Sequence, residues 1–236
     1  MLLTGTSLAR YVPICYMAVK REDAEFLFMG LTFGSDCGCA EGTPKKTAAS
    51  KIFETAKDLF YRRGIRAVGV DEIVCEAGVT KPSLYRAYRS KDELVAACLR
   101  EDVEAGVAGI YAALNAAGPD PRDRLDAVIR HKAEKMRRAD FRGCLISNVA
   151  VELPEPGHPG RLIVESCKSD FRALFCDLSR DLGVAEPEKL ADGLILVIEG
   201  AMATHHVFGS QGPAQALEDT CAALIDSHLE HARAKA

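Results

Sequence analysis

With 236 residues, 48% of them apolar, 27% charged and 6% aromatic without a single Trp, the chain can bury a real core in one large domain or two small ones. These fractions exclude collagen, a low-complexity tail and wholesale disorder, and no stretch approaches the roughly 18 unbroken apolar residues of a membrane span. The net charge of −4 hides a division: residues 44–91 carry eleven Lys/Arg against five Asp/Glu, and the remainder nineteen against twenty-nine. A basic module joined to an acidic body suits approach to a polyanion with one face, although Lys-rich helices with solvated faces give the same balance.

Residues 1–43 mix apolar fragments such as Phe26-Leu27-Phe28-Met29 with scattered glycines and keep neither a period of 2 nor one of 3.6. They read as a poorly ordered extension, with Met17 and Met29 as alternative starts. Cys37 and Cys39 have no second pair at zinc-like spacing nearby, which favours incidental thiols over a metal site. Arg10, the only early cation, follows Leu2, Leu3 and Leu8, the wrong order for a signal peptide. Nine Cys without a repeated spacing argue against a secreted disulfide framework. A cytoplasmic protein is expected.

From Lys46 onward the pattern is helical, and the predicted fold class is all-α. Ile52, Phe53, Ala56, Leu59 and Phe60 form one apolar stripe, stopped by Gly64. Val70, Ile73, Val74 and Ala77 repeat the spacing in a short second helix closed by Gly78. A third begins near Thr80 as N-cap, with Pro82 in the first turn, where no N–H is needed. Ser90, followed by Lys91-Asp92-Glu93, reads as a fresh cap for a long helix to about Asn115. Further helices are expected over Pro121–Asp140, Cys144–Leu153, Gly160–Leu182, Glu186–Phe208 and Pro213–Ala232.

Three short helices with glycine-marked turns inside the basic region fit a helix-turn-helix over about residues 69–88, the tight turn being Ala77-Gly78-Val79. Leu84 and Tyr88, at i and i+4, should face inward and leave Lys81, Ser83, Tyr85, Arg86 and Arg89 outside. Such a cationic, hydroxyl-bearing face has the size and chemistry to enter a major groove. An ordinary helical hairpin with a solvated face has the same spacing.

The stretch Gly64–Leu94 closely resembles the DNA-binding domain of TetR/AcrR-family transcriptional regulators. Its most specific parts are Ala77-Gly-Val-Thr-Lys-Pro-Ser-Leu-Tyr85 and Ser90-Lys-Asp-Glu-Leu94. The resemblance covers about residues 46–106. It implies a three-helix head on a helical body, 107–236, that binds a small molecule and dimerises through its last two helices. It further implies double-stranded operator DNA as a partner, with Lys81, Pro82, Ser83 and Arg86 as base-edge readers beside Thr80. Tyr85 would meet the backbone or a thymine methyl. Lys91 would clamp a phosphate at a helix N-terminus. Lys45 and Lys46 form either an arm to the DNA or a solvated run. Two positions depart from the family: Gly69 stands where a Thr often caps the second helix, and Ala87 where a His or Tyr is common.

The body carries less signal. Glu199, His205 and His206 lie on an otherwise apolar helix, and a buried acid must be paired. Glu199 therefore lines a pocket opposite a ligand or an Arg, or else sits at an interface or in solvent. His205 and His206 read as core or interface histidines before metal ligands. Cys144 and Asn148, after Arg142-Gly143, are further candidates for the effector pocket together with Glu199 and His205. No nucleotide loop, nucleophile elbow, zinc-protease motif or paired-carboxylate signature is present, so no enzyme, catalytic residue, metal or cofactor is expected. A repressor released from a palindromic operator by a small-molecule effector is the functional expectation. A thiol-based redox or metal sensor on the same head, using Cys75, Cys144, Cys167, Cys176 or Cys221, is the alternative. Leu217, Cys221, Leu224, Ile225, His228 and Leu229 form a last stripe, more apolar than a monomer should expose, and predict a homodimer.

Overall fold

The computed structural model describes residues 46–235. The expectations for residues 1–43, including Cys37, Cys39 and the alternative starts, lie outside these residues, as does Lys45. Nine α-helices and no strand occur among the described residues: α1 Ala48–Arg63, α2 Val70–Glu76, α3 Lys81–Ala87, α4 Lys91–Ala116, α5 Pro121–Arg137, α6 Leu145–Glu152, α7 Pro159–Asp181, α8 Pro187–Phe208 and α9 Leu217–Lys235. Each predicted helix is present to within a few residues. The exception is the last, whose first turn is a 3-10 turn, Pro213–Ala216.

The chain divides between Arg100 and Glu101 into two units. In the first, α1 is capped by Thr47, whose Oγ1 accepts from Ser50 N at 3.1 Å, and ends at Gly64 with φ 86°. Ile52, Ala56, Leu59 and Phe60 bury the stripe of α1 against α2 and α3. Ile73 and Leu84 are fully buried and join the short helices to that core. Neither short helix could persist in isolation, since seven residues give too few bonds to offset nucleation. The packing of those two side chains holds them.

In the second unit α7 and α8 make the most extensive helix contact, with α5, α6 and α9 packed around them. Phe175, Leu178, Leu190, Leu194 and Ile198 form its fully buried centre. The stripe of α9 divides differently from expectation. Leu217, Cys221 and Ile225 are buried inside the protomer, because α9 packs on α8 and α5. Leu224 lies against Gly193, where a Cβ would stand 2.9 Å from it. Three exposed apolar side chains lie on α8, with Leu196, Val207 and Phe208 74%, 76% and 59% exposed, and Val151 of α6 and Leu162 of α7 are exposed as well. None of the described helices is long and apolar enough to cross a membrane.

Candidate nucleic-acid interface and effector cleft

The interface begins with a turn. Ala77 N bonds Ile73 O, Gly78 takes φ +61°, and Val79 N closes back on Val74 O at 3.0 Å. A residue with a Cβ is strained at that φ, so glycine sets the angle between α2 and α3. Leu84 then anchors α3 from beneath and Tyr88 is half-buried, its hydroxyl pKa pushed up chiefly by burial. What remains outside is Lys81, Pro82, Tyr85, Arg86 and Arg89, with Ser83 half-buried. Tyr85 is 50% exposed, unusual for an aromatic ring with an apolar core within reach.

Several of these groups are already engaged. Lys81 Nζ pairs with Asp71 at 2.5 Å, and that carboxylate raises the lysine pKa. Thr80 caps α3 by position only. Its hydroxyl meets the Ser83 hydroxyl at 3.0 Å instead of a backbone N–H, leaving two adjacent hydroxyls at the helix start. Gly69 caps α2 with no side-chain bond, so no hydroxyl is offered there. Lys91 donates to Ile65 O at 2.6 Å and its ammonium stands 5.9 Å from the centre of the Phe60 ring. It stitches the start of α4 to the turn after α1, so its side chain has a structural task beside any phosphate contact. Ser90 Oγ accepts from Glu93 N, and the Glu93 carboxylate accepts from Arg89 N at 2.6 Å, which closes a reciprocal cap. Lys46 is exposed immediately before α1.

The second unit holds an open cleft of about 410 Å³, within the range of small-molecule sites. Ala150, Phe171 and Ile195 are its apolar walls, and Ser147, Lys168, Arg172, Asp192 and Glu199 supply its polar groups. Ser147 Oγ donates to Glu199 Oε2 at 2.8 Å and accepts from Lys168 Nζ at 2.8 Å; Lys168 also pairs with the other Glu199 oxygen. Glu199 thus has a lysine partner on the cleft wall where the sequence pointed to a ligand or an Arg. Arg172 grips Asp192 with two bonds, 2.6 and 2.9 Å, which raise the pKa of the guanidinium and lower that of the acid.

The other candidates do not line the cleft. Cys144 is the N-cap residue of α6 without a side-chain bond, and Asn148 Nδ2 donates to Arg142 O at 3.4 Å. His205 stacks edge-on against Phe141 at 5.0 Å, and its Nε2 is buried without a hydrogen-bond partner. His206 lies against Gly143, where a Cβ would stand 2.1 Å from Nε2. Sequence reasoning missed Ser147, Lys168 and Phe171. It also passed over Lys132, whose ammonium lies 4.7 Å from the centre of the Phe171 ring. A signal for Lys132 was present: it interrupts the apolar stripe Leu125, Val128, Ile129, Ala133, Met136 of α5.

The thiols fall into two groups. Burial pushes the pKa of Cys221 up to about 12 and raises that of Cys176, so both are poor nucleophiles. Cys75 is exposed, and Cys144 and Cys167 are half-buried. No group of three metal-ligating side chains is assembled among the described residues.

Residues 52–98 match the family model of the tetR family of bacterial regulatory proteins. The transcriptional activator FasR of Mycolicibacterium smegmatis is 31% identical over 158 residues, which cover 65% of this chain and 70% of that protein. The transcriptional repressor BdcR of Escherichia coli is 39% identical over 62 residues, 26% of this chain and 32% of that one. A solved TetR-type regulator from Streptomyces avermitilis aligns with a TM-score of 0.69 at 33% identity over 78% of this chain and 98% of its own.

Proposed function

This chain belongs to the TetR family of bacterial regulatory proteins and is a DNA-binding transcriptional regulator, and from that premise we propose that it is a cytoplasmic repressor without catalytic activity, seated on a palindromic operator as a homodimer and released by a small molecule in its body. The observation that carries the DNA-binding part is α3. Only its Leu84 is buried, while a lysine, a tyrosine and an arginine face out beside the Thr80 and Ser83 hydroxyls and a turn set by Gly78. Lys81, Pro82, Ser83 and Arg86 read base edges, Thr80 and Tyr85 flank them, and Lys91 steadies the start of α4 near the phosphates.

Dimerisation uses the outer face of α8, where Leu196, Gly200, Ala203 and Val207 are exposed at helical spacing, with the half-buried Leu224, His228 and Leu229 of α9. Two heads then meet two half-sites about one helical turn apart. Release is a shift between two states. α4 begins in the head and ends in the body, so a guest that prefers one placement of α4 weakens DNA binding by the factor by which DNA weakens the guest. Repression is the simpler sign, because a dimer over a promoter excludes polymerase without touching it. The name of FasR as an activator makes that sign a matter for experiment. Footprinting of the DNA upstream of the coding sequence should show one protected palindrome, and run-off transcription from it should fall as protein is added. Protection without any change in transcript, or a rise in transcript, would refute repression.

A further inference from the structure

The charges on the wall of the cleft cancel, and one beside it does not. Lys168 is paired with Glu199 and Arg172 with Asp192. Among the described residues Lys132 has no carboxylate and no hydrogen bond; its ammonium meets the Phe171 ring, which is itself a wall of the cleft. The groups within electrostatic reach are Lys168 and Lys135, which oppose its charge, and the thiols of Cys144 and Cys167. Desolvation is the largest influence and pulls its pKa below the ordinary lysine value.

A half-buried cation without a counter-ion among the described residues is costly, and the helix does not force it here. A methionine or leucine at 132 would continue the apolar stripe of α5. Groups held against stability in this way are characteristic of binding sites. We propose that the small molecule taken by the cleft carries one carboxylate on an apolar skeleton, and that Lys132, with Lys168 beside it, is the counter-ion of that carboxylate. This rests on the reading of the cleft as the effector site. One negative charge is favoured over two because, among the described residues at the cleft, Lys132 alone is uncompensated, and Glu199 and Asp192 repel a dianion more strongly. The skeleton is apolar because Ala150, Phe171 and Ile195 form the rest of the wall.

The test is calorimetry of the full chain with decanoate and with 1-decanol, which share a tail and differ in the head. Decanoate is expected to bind about tenfold tighter or better. In Lys132→Met that preference disappears, while the unliganded protein melts at a higher temperature because the uncompensated charge is gone. Glu199→Gln, which leaves Lys132 untouched, should strengthen decanoate binding and widen the preference for decanoate over decanol. Equal binding of the two compounds by the unmodified protein, a preference that survives Lys132→Met, or no response of decanoate to Glu199→Gln would overturn the carboxylate. Failure of both compounds to bind the unmodified protein would overturn the cleft as the effector site itself.

Discussion

The head and the body of this molecule build their sites in opposite ways. The head gathers most of its proposed DNA-facing groups on one helix of seven residues, so sequence neighbours are also spatial neighbours. The body assembles its cleft from residues 147 to 199 on α6, α7 and α8, with the Lys132 ammonium of α5 against the Phe171 ring. A local site can be read from spacing and turn chemistry; a site made by helix packing is fixed by side chains far apart in the chain. The same contrast separates their energetics. The head's groups are bonded mostly in exposed pairs such as Lys81–Asp71 and Thr80–Ser83, whereas the cleft's groups are bonded across helices.

The sharpest break of this comparison is Arg86→Ala. Loss of a base-edge contact costs about 1–3 kcal/mol per half-site, so a two-headed complex should lose roughly twice that, with thermal stability untouched. Anisotropy titration beside a melting curve checks it, and a drop in stability of similar size would make α3 structural.

Next in size is the alkaline limb of the body. The Cys221 thiol has its pKa raised to about 12 in the folded state, against 9.0 for an unperturbed thiol. Above the unfolded value the unfolded chain binds fewer protons than the folded one, so stability falls as pH rises toward 12, by at most about 4 kcal/mol. Below pH 8 the group contributes no slope. Urea titrations from pH 8 to 11 should show that loss, and Cys221→Ala should flatten it. An unchanged slope in the variant would place the titrating group elsewhere.

Gly143→Ala comes third. With φ +86° and His206 Nε2 in the path of the new Cβ, it should destabilise the body by about 1–3 kcal/mol. Calorimetric unfolding measures this, and a neutral result would mean that His206 swings away freely.

The smallest effect expected is that of Lys91→Met. It removes the bond to Ile65 O and should cost about 1 kcal/mol of head stability, together with a shallower salt dependence of DNA binding. Retained stability with weakened binding would make Lys91 a phosphate ligand alone.

Much of this was legible in advance, and the failures share one cause. Gly64, Gly78, Ser90 and Pro82 mark their boundaries through backbone chemistry, which acts within a few residues, and the helices fall where those residues put them. Glu199 stood out as an acid on an apolar helix, but its partner Lys168 is 31 residues earlier on another helix, and nothing local names it. Cys144, Asn148 and His205 stand out by proximity to a break or to Glu199 along the chain, and they do not line this cleft. On α9 the stripe reads as a surface that only a partner would cover. Periodicity does not say whether the protomer or a partner does the burying, and Leu217, Cys221 and Ile225 turn out to be covered from within.

The central claim is that α3 reads sequence while the rest of the basic head supplies sequence-independent attraction. It is tested most directly by titrating the full chain, at one fixed salt concentration, against its upstream palindrome and against a scrambled duplex of the same composition. Specific binding is predicted to be at least about 10³-fold tighter, with two protomers per palindrome. Equal affinity for both duplexes would contradict it.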